Sequence, residues 1–228
     1  MHWFYSSLLL FSILFPLAFT WDKRMNFYKK WKYIFPGLII VAVFFIVWDF
    51  WFTAIGVWKF NPKYVLRIYV YNLPIEEWLF FILIPYSCMF IHESLKYFYP
   101  KTWFDNKGKP MALLLVFGLL ITAAFYYNHL YTSVTFVLLA VFLLLNVYVF
   151  KSEFFLGRFF LTYIVSNAGF LIVNGFLTAM PVLIYNDAEN LGVRIGTIPL
   201  EDFFYSMLML LMNVTIYEHS TRTTPAAS

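Results

Sequence analysis

The sequence predicts an all-α integral membrane protein whose seven transmembrane helices form a 3+1+3 arrangement of parallel repeats. Three observations support this fold class. Of the 228 residues, 62% are hydrophobic and only 12% are charged, whereas soluble domains carry about 25% charged residues. Seven apolar stretches approach the ~20 residues that a membrane-spanning helix needs. In addition, Asp49–Glu93 aligns without a gap on Asn174–Glu218, a shift of 125 residues.

Seven spans are predicted from the apolar stretches, and short polar loops separate them. We assign the first stretch to a helix rather than to a signal peptide, because no Lys or Arg precedes it and no small-residue cleavage site follows it. The spans cover residues 3–20, 34–57, 75–95, 111–127, 131–150, 159–183 and 201–217.

The basic residues predict the orientation of the chain in the membrane. Twelve of the 16 Lys and Arg residues fall in loops on one side, at residues 23–32, 96–109, 151–158 and 222. The positive-inside rule therefore predicts an outer N-terminus and a cytoplasmic C-terminus in the cell membrane. The net charge of +4 is explained by this topology, and no nucleic-acid partner is indicated.

The internal repeat predicts the domain organisation. Helices 2 and 3 correspond to helices 6 and 7, and helix 1 falls on helix 5. A single linking helix returns the second triplet to the orientation of the first, so the repeats are parallel and a ligand site is expected between them. We predict a first repeat at 1–97, a linker helix at 98–128, a second repeat at 129–219 and a disordered tail at 220–228.

Two acidic pairs, Glu76-Glu77 and Glu201-Asp202, occupy equivalent places in the repeats. Each follows a proline and opens an apolar helix, where a carboxylate can simply stabilise the helix N-terminus. Duplication at the edge of the membrane favours a functional role instead. Neighbouring helical residues point about 100° apart, so one member of each pair can face a cavity, and the sequence does not say which.

Other candidates surround these pairs. Asp49 lies inside helix 2 and aligns with Asn174, so it is either a partner in a helix–helix hydrogen bond or a catalytic group. Glu93 and Glu218 also align, and we expect them to be solvated or snorkelling at the cytoplasmic interface. Aromatic side chains could line an apolar substrate pocket and stabilise a cation. These candidates are Trp48, Trp51, Trp78, Phe80, Phe81, Phe204 and Tyr205.

Motifs for metals and nucleotide cofactors are missing from the sequence. The single cysteine and the four scattered histidines form no zinc motif. Neither a G-x-G-x-x-G fingerprint nor a Walker-type loop occurs. The sequence therefore predicts neither a metal site nor a cofactor.

The duplicated Pro-x-Glu-[Glu/Asp] pattern, at Pro74–Glu77 and Pro199–Asp202, resembles the lycopene cyclases that occur as two small subunits or as one fused chain. The resemblance covers almost the whole chain. It implies a carotenoid-biosynthesis isomerase that closes the ψ-ends of lycopene into ionone rings without redox turnover. It leaves the ring type open, and we expect β-carotene formed by way of γ-carotene. It also implies a lipophilic polyene substrate in the bilayer, and it leaves open a homo-oligomer or an association with other carotenoid enzymes.

For this chemistry we expect the catalytic groups to be Glu76, Glu77, Glu201 and Asp202. One carboxyl group from each pair would act as acid or base in a composite site, while Asp49 and Asn174 orient them. The alternative is two equivalent sites, one in each half. The sequence does not assign the acid and the base.

Three other classes compete with the cyclase. A small-solute transporter of the SWEET type shares the 3+1+3 plan, but this chain has no glutamine and few polar residues within its spans. A carotenoid-holding subunit without activity is also compatible with the composition. A prenyltransferase would need Asp-rich motifs for Mg²⁺, and Asp49 alone lies inside a helix.

Overall fold

A computed structural model describes residues 1–223, and seven α-helices dominate them. Five of the helices, α2 to α6, are long and apolar enough to cross a membrane, so the chain is an integral membrane protein. The apolar helix α1 has 15 residues, and α7 is long but more polar. The helices are α1 Phe4–Ala18, α2 Trp31–Ile55, α3 Ile75–Phe98, α4 Gly108–Phe125, α5 Leu130–Leu144, α6 Glu153–Ala179 and α7 Leu200–Thr223.

Every predicted span falls on one of these helices, and the differences lie at the ends. Helix α6 begins at Glu153 rather than at residue 159, and a π-helix, Leu145–Val149, continues α5. Helix α7 runs to Thr223, so residues 220–223 of the predicted disordered tail are helical. The remainder of that tail, residues 224–228, lies outside the described residues.

Six short strands, which the sequence patterns did not predict, lie in the two loops before α3 and α7. Strands β2 and β3 form one hairpin, and β5 and β6 form another. Strand β1 of the first loop pairs antiparallel with β4 of the second. The strands are β1 Trp58–Phe60, β2 Tyr69–Val70, β3 Leu73–Pro74, β4 Leu183–Tyr185, β5 Arg194–Ile195 and β6 Ile198–Pro199.

The β1–β4 pair has a local two-fold symmetry that matches the repeat in the sequence. Its central partners are Lys59 and Ile184, which are 125 residues apart. The backbone N–H of Asn61 donates to Val182 O at 2.8 Å, and 125 residues later the N–H of Asn186 donates to Val57 O at 2.8 Å. The repeat found by alignment is therefore reproduced in the backbone hydrogen bonds.

Aromatic and aliphatic side chains fill the interior between the helices. Fully buried rings such as Phe45 and Phe52 of α2 and Phe159 of α6 pack into one core cluster. Helices α4 and α6 cross so closely that a Cβ atom on Gly108 would lie 2.4 Å from the backbone nitrogen of Gly157. Small residues allow such close contact between membrane helices.

A buried ion-pair cluster lies at the end of α3 and α7 that is opposite to the acidic pairs. Glu93 pairs with Lys30 and Lys96, while Glu218 accepts hydrogen bonds from Lys96 and the His92 ring, both at 2.8 Å. The expectation that Glu93 and Glu218 are solvated is wrong, because they are only 1% and 7% exposed. A carboxylate at this depth is stabilised by its cationic partners.

Replacing Lys96 by Met is expected to destabilise the protein by about 3 kcal/mol, because both carboxylates lose a cation while they stay buried. The measurement is the thermal midpoint in detergent. The control is Lys109→Met, since both side chains of the Lys109–Glu153 pair are exposed and solvent-exposed ion pairs contribute little to stability. Equal midpoints for the two variants would contradict a stabilising role for the cluster.

Candidate active site

Glu76 and Glu201, which we call the outer members of the two acidic pairs, accept hydrogen bonds from the loop that precedes their helix. Oε1 of Glu76 accepts the backbone N–H of Leu66 at 2.7 Å, and Oε1 of Glu201 accepts that of Leu191 at 2.7 Å. A hydroxyl group from the first helix of the same half also donates to each glutamate, at 3.2 Å from Ser6 and 2.5 Å from Thr132. Glu76 and Glu201 are therefore anchored in the same way in both halves.

The inner members, Glu77 and Asp202, face a common chamber between the halves. The Tyr5 hydroxyl donates to Glu77 Oε2 at 2.6 Å, and the Tyr131 hydroxyl donates to Asp202 Oδ1 at 2.6 Å. The structure thus brings one carboxyl group of each pair to the same cavity. The sequence alone could not decide which member this is.

The surroundings of the two inner carboxyl groups differ between the halves. Asp202 Oδ2 accepts the side-chain amide of Asn174 and the hydroxyl of Tyr185, both at 2.7 Å. In the first half, the position of Asn174 is occupied by Asp49 and that of Tyr185 by Phe60, and both of these residues line the chamber. One half therefore presents a carboxylate with three donors, and the other presents two neighbouring carboxyl groups.

The chamber is small, about 50 Å³, and its walls are largely aromatic. Strands β1 and β4 form its roof through Trp58, Phe60, Leu183 and Tyr185. Burial raises the pKa of the Tyr185 phenol, and the nearby Asp202 carboxylate raises it further, so this hydroxyl remains a donor. None of the described residues that line the chamber is Lys, Arg or His.

A larger apolar cavity of about 550 Å³ adjoins the chamber between α1, α3 and α6. Side chains at its rim, including Phe11, Phe15 and Ile172, are at least half exposed on the outer surface of the helices. The cavity therefore opens sideways toward the bilayer. Five residues line both spaces: Phe80, Phe170, Asn174, Ser206 and Met209.

Among the aromatic residues that the sequence proposed for substrate binding, Phe80 and Tyr205 line the chamber. Trp48 and Phe81 are buried in the aromatic core beside it. The remaining three do not line the chamber. Trp51 is 46% exposed on the outer surface of α2, Trp78 is half-buried on α3, and Phe204 packs against Phe136 with ring centroids 4.8 Å apart.

Sequence reasoning missed the tyrosines that hold the inner carboxyl groups. Tyr5-Ser6 and Tyr131-Thr132 are equivalent dipeptides, and each one contacts both acids of its own half. They are 126 residues apart, so an ungapped shift of 125 does not align them. A repeat search that allows a one-residue insertion would have found this signal.

One group of metal-ligand type occurs in the described residues, and it lies in the ion-pair cluster rather than in the chamber. Ligand atoms of His92, Glu93 and Glu218 lie within 4.8 Å of one another. Lys30 and Lys96 already pair with both carboxylates. Their charge favours a protein ion-pair network over a bound cation.

Comparison with known proteins relates this geometry to a family. The model of the family described as lycopene cyclase matches residues 2–95 and 128–220. The two matched segments contain both acidic pairs and omit the part of the chain that holds α4. No curated protein and no solved structure matches the chain. Because the family model covers most of the sequence in two segments, this chain belongs to the lycopene cyclase family.

Proposed function

We propose that this protein is an isomerase that cyclises the ψ-ends of lycopene to ionone rings, with β-carotene formed by way of γ-carotene. One observation carries the proposal. Three carboxyl groups, those of Asp49, Glu77 and Asp202, line an aromatic chamber that continues into an apolar cavity open to the bilayer. A membrane-dissolved polyene could therefore bring its end to an acid and a base without crossing water.

The reaction needs one proton delivered and one proton removed. A carboxylic acid protonates the terminal double bond, which leaves a tertiary carbocation. The neighbouring double bond attacks this carbon and closes a six-membered ring, moving the positive charge onto a ring carbon. A carboxylate then removes a ring proton and leaves a ring alkene. Atoms and electrons balance without an oxidant or reductant, so paired acid and base groups suffice.

The asymmetry of the halves supports different roles for their carboxyl groups. Asp202 accepts three hydrogen bonds, which favour its ionised form, so we assign it as the base. Asp49 and Glu77 share a chamber without a cation, and three buried carboxylates could not all be charged there. We therefore assign the transferable proton to the Asp49–Glu77 pair.

The walls of the chamber suit a carbocation. The rings of Trp58, Phe80 and Tyr205 border the space beside the carboxyl groups, and aromatic faces attract cations. The strand roof and the apolar cavity keep bulk water away, which matters because water would trap the cation as an alcohol. The substrate end would sit where the chamber joins the cavity, since the chamber alone is too small for a ring.

We further propose that the chain is built as 3+1+3 parallel repeats, with α4 as the linker, the N-terminus outside and the C-terminus in the cytoplasm. Equal hydrogen bonds at Leu66–Glu76 and Leu191–Glu201 support the repeat. The basic loops support the orientation, because they concentrate on the side opposite the chamber. The same bias supports the cell membrane as the location.

The test is pigment chromatography of a lycopene-accumulating host that expresses the protein. We expect monocyclic and bicyclic carotenes from the parent chain, and lycopene alone from a Glu77→Gln, Asp202→Asn double variant at the same expression level. Unchanged lycopene with folded parent protein would overturn the cyclase proposal. The transporter alternative predicts that outcome, but the family match gives it no support.

A further inference from the structure

We propose that a single lateral tunnel, with no counterpart at the pseudo-symmetric position, binds the polyene chain of the substrate, and that each binding event cyclises one end. The tunnel is the cavity between α1, α3 and α6. This inference rests on the proposed function. It implies that the monocyclic product leaves the protein before its second end can enter.

The shape of the cavity suits a long apolar chain. Its lining extends along α3 from Phe80 to Leu95, which spans ~22 Å at the helical rise of 1.5 Å per residue. On α6, the lining residues Ser166, Gly169, Phe170 and Val173 follow a single helical face. The inner end of the tunnel joins the chamber, so an inserted chain would present its terminal double bonds to the carboxyl groups.

The repeat allows a direct comparison with the pseudo-symmetric position, which lies between α5, α7 and α2. Gly169 corresponds to Phe44, Val173 to Trp48, and Ser206 to Phe81. At each of these tunnel positions the second half has a small side chain, and the equivalent position in the first half has an aromatic ring. The space that the tunnel occupies on one side is therefore occupied by protein on the other.

The aromatic residues of the first half fill the pseudo-symmetric side of the chamber. The Trp48 ring lies 5.0 Å from the Tyr205 ring, and the Phe45 ring lies 4.8 Å from Tyr205 and 5.9 Å from Phe81, between centroids. Trp48 and Phe81 are only 5% and 1% exposed. Phe44, the equivalent of Gly169, packs on Trp48 at 6.0 Å and covers the position of the tunnel mouth.

One chamber reached by one tunnel has a kinetic consequence. The chamber holds one base, Asp202, and one acidic pair, so two substrate ends cannot react together. The unreacted end points out of the tunnel toward the bilayer. It can reach the carboxyl groups only after the molecule has left and re-entered in the opposite direction.

The first test replaces Gly169 with Phe, the residue at the equivalent position, Phe44, of the first half. A Cβ atom at Gly169 meets nothing within 4 Å, so the backbone tolerates the change while the ring enters the tunnel mouth. Gly118→Phe is the matched control, because Gly118 is also helical, also has open space at its Cβ, and lines a separate groove around α4. At equal amounts of folded protein, Gly169→Phe should cut lycopene conversion about tenfold or more.

The control should stay within about twofold of the parent, as expected for a substitution away from the tunnel. Full conversion of lycopene by Gly169→Phe would overturn the proposal that the tunnel binds the polyene chain. If Gly118→Phe abolished activity and Gly169→Phe kept it, we would conclude that the substrate binds in the groove around α4 instead of the tunnel. Because the parent chain is assayed beside both variants, an inactive parent identifies a failure of the proposed function instead.

The second test does not depend on a variant. Purified parent protein in liposomes receives lycopene in large molar excess, and the products are followed over time. Monocyclic carotene should accumulate beyond the molar amount of protein before bicyclic carotene appears. Bicyclic carotene formed from the start, with monocyclic carotene never exceeding the protein, would overturn release between the two cyclisations.

Discussion

The Glu77→Gln variant is expected to cyclise lycopene about 10²–10⁴-fold more slowly than the parent protein, the range that a general acid or base contributes. Gln fills the same volume and still accepts the Tyr5 hydroxyl, but it cannot carry the transferable proton. The measurement is the initial rate of ring formation by purified protein in liposomes.

The adjacent residue provides the matched control for this prediction. Glu76→Gln keeps the acceptor that holds the Leu66 N–H, and its side chain does not line the chamber. We expect its rate to fall by less than about tenfold, since no proton donor or acceptor is lost from the chamber. A slow Glu76→Gln and a fast Glu77→Gln would show that the outer member of the pair carries the chemistry.

The Asp202→Asn variant is expected to show a loss as large as that of Glu77→Gln, about 10²–10⁴-fold, because the proposed base becomes an amide. The new amide nitrogen would also replace one acceptor oxygen, and would face either the Tyr131 hydroxyl or the Asn174 and Tyr185 donors. Initial rates under the same conditions give the comparison, and Glu201→Gln is the control in this half.

These two variants together distinguish a composite site from two independent sites. In a composite site either substitution alone removes nearly all activity, and the double variant is little slower than the singles. Two equivalent sites would leave about half of the parent rate in each single variant. Retention of half the rate by both would therefore contradict the shared chamber as the place of reaction.

Much of this arrangement could be predicted from the chain alone. Long apolar stretches gave all seven helices, because a membrane span has a length set by the bilayer. The acidic pairs were found because charged residues are rare at membrane depth and because Pro74 and Pro199 mark equivalent helix starts. Asp49 was singled out by the same rarity, and the structure brings it to the chamber.

The parts that could not be predicted depend on which way a side chain points, and composition does not reveal this. Helix α2 is apolar on all its faces, so its sequence does not reveal that Trp51 faces outward while Asp49 faces the chamber. Tyr5 and Tyr131 were not recognised as equivalent because one inserted residue breaks the register between α1 and α5. Lys30 and Lys96 were interpreted as loop charges, because the sequence does not show that the fold places Glu93 beside both of them.

The strand pair above the chamber has a consequence for the catalytic cycle. In the proposed mechanism, because β1 and β4 close the roof, the proton taken up by the base at the end of one turnover stays close to the acid that has just lost one. Its shortest way back is across the chamber, from Asp202 to the Asp49–Glu77 pair, rather than through water. On this proposal each turnover restores the starting protonation state of the site, and the proton moves in a closed circuit. One strand comes from each half, so the circuit is closed only when both halves are folded together.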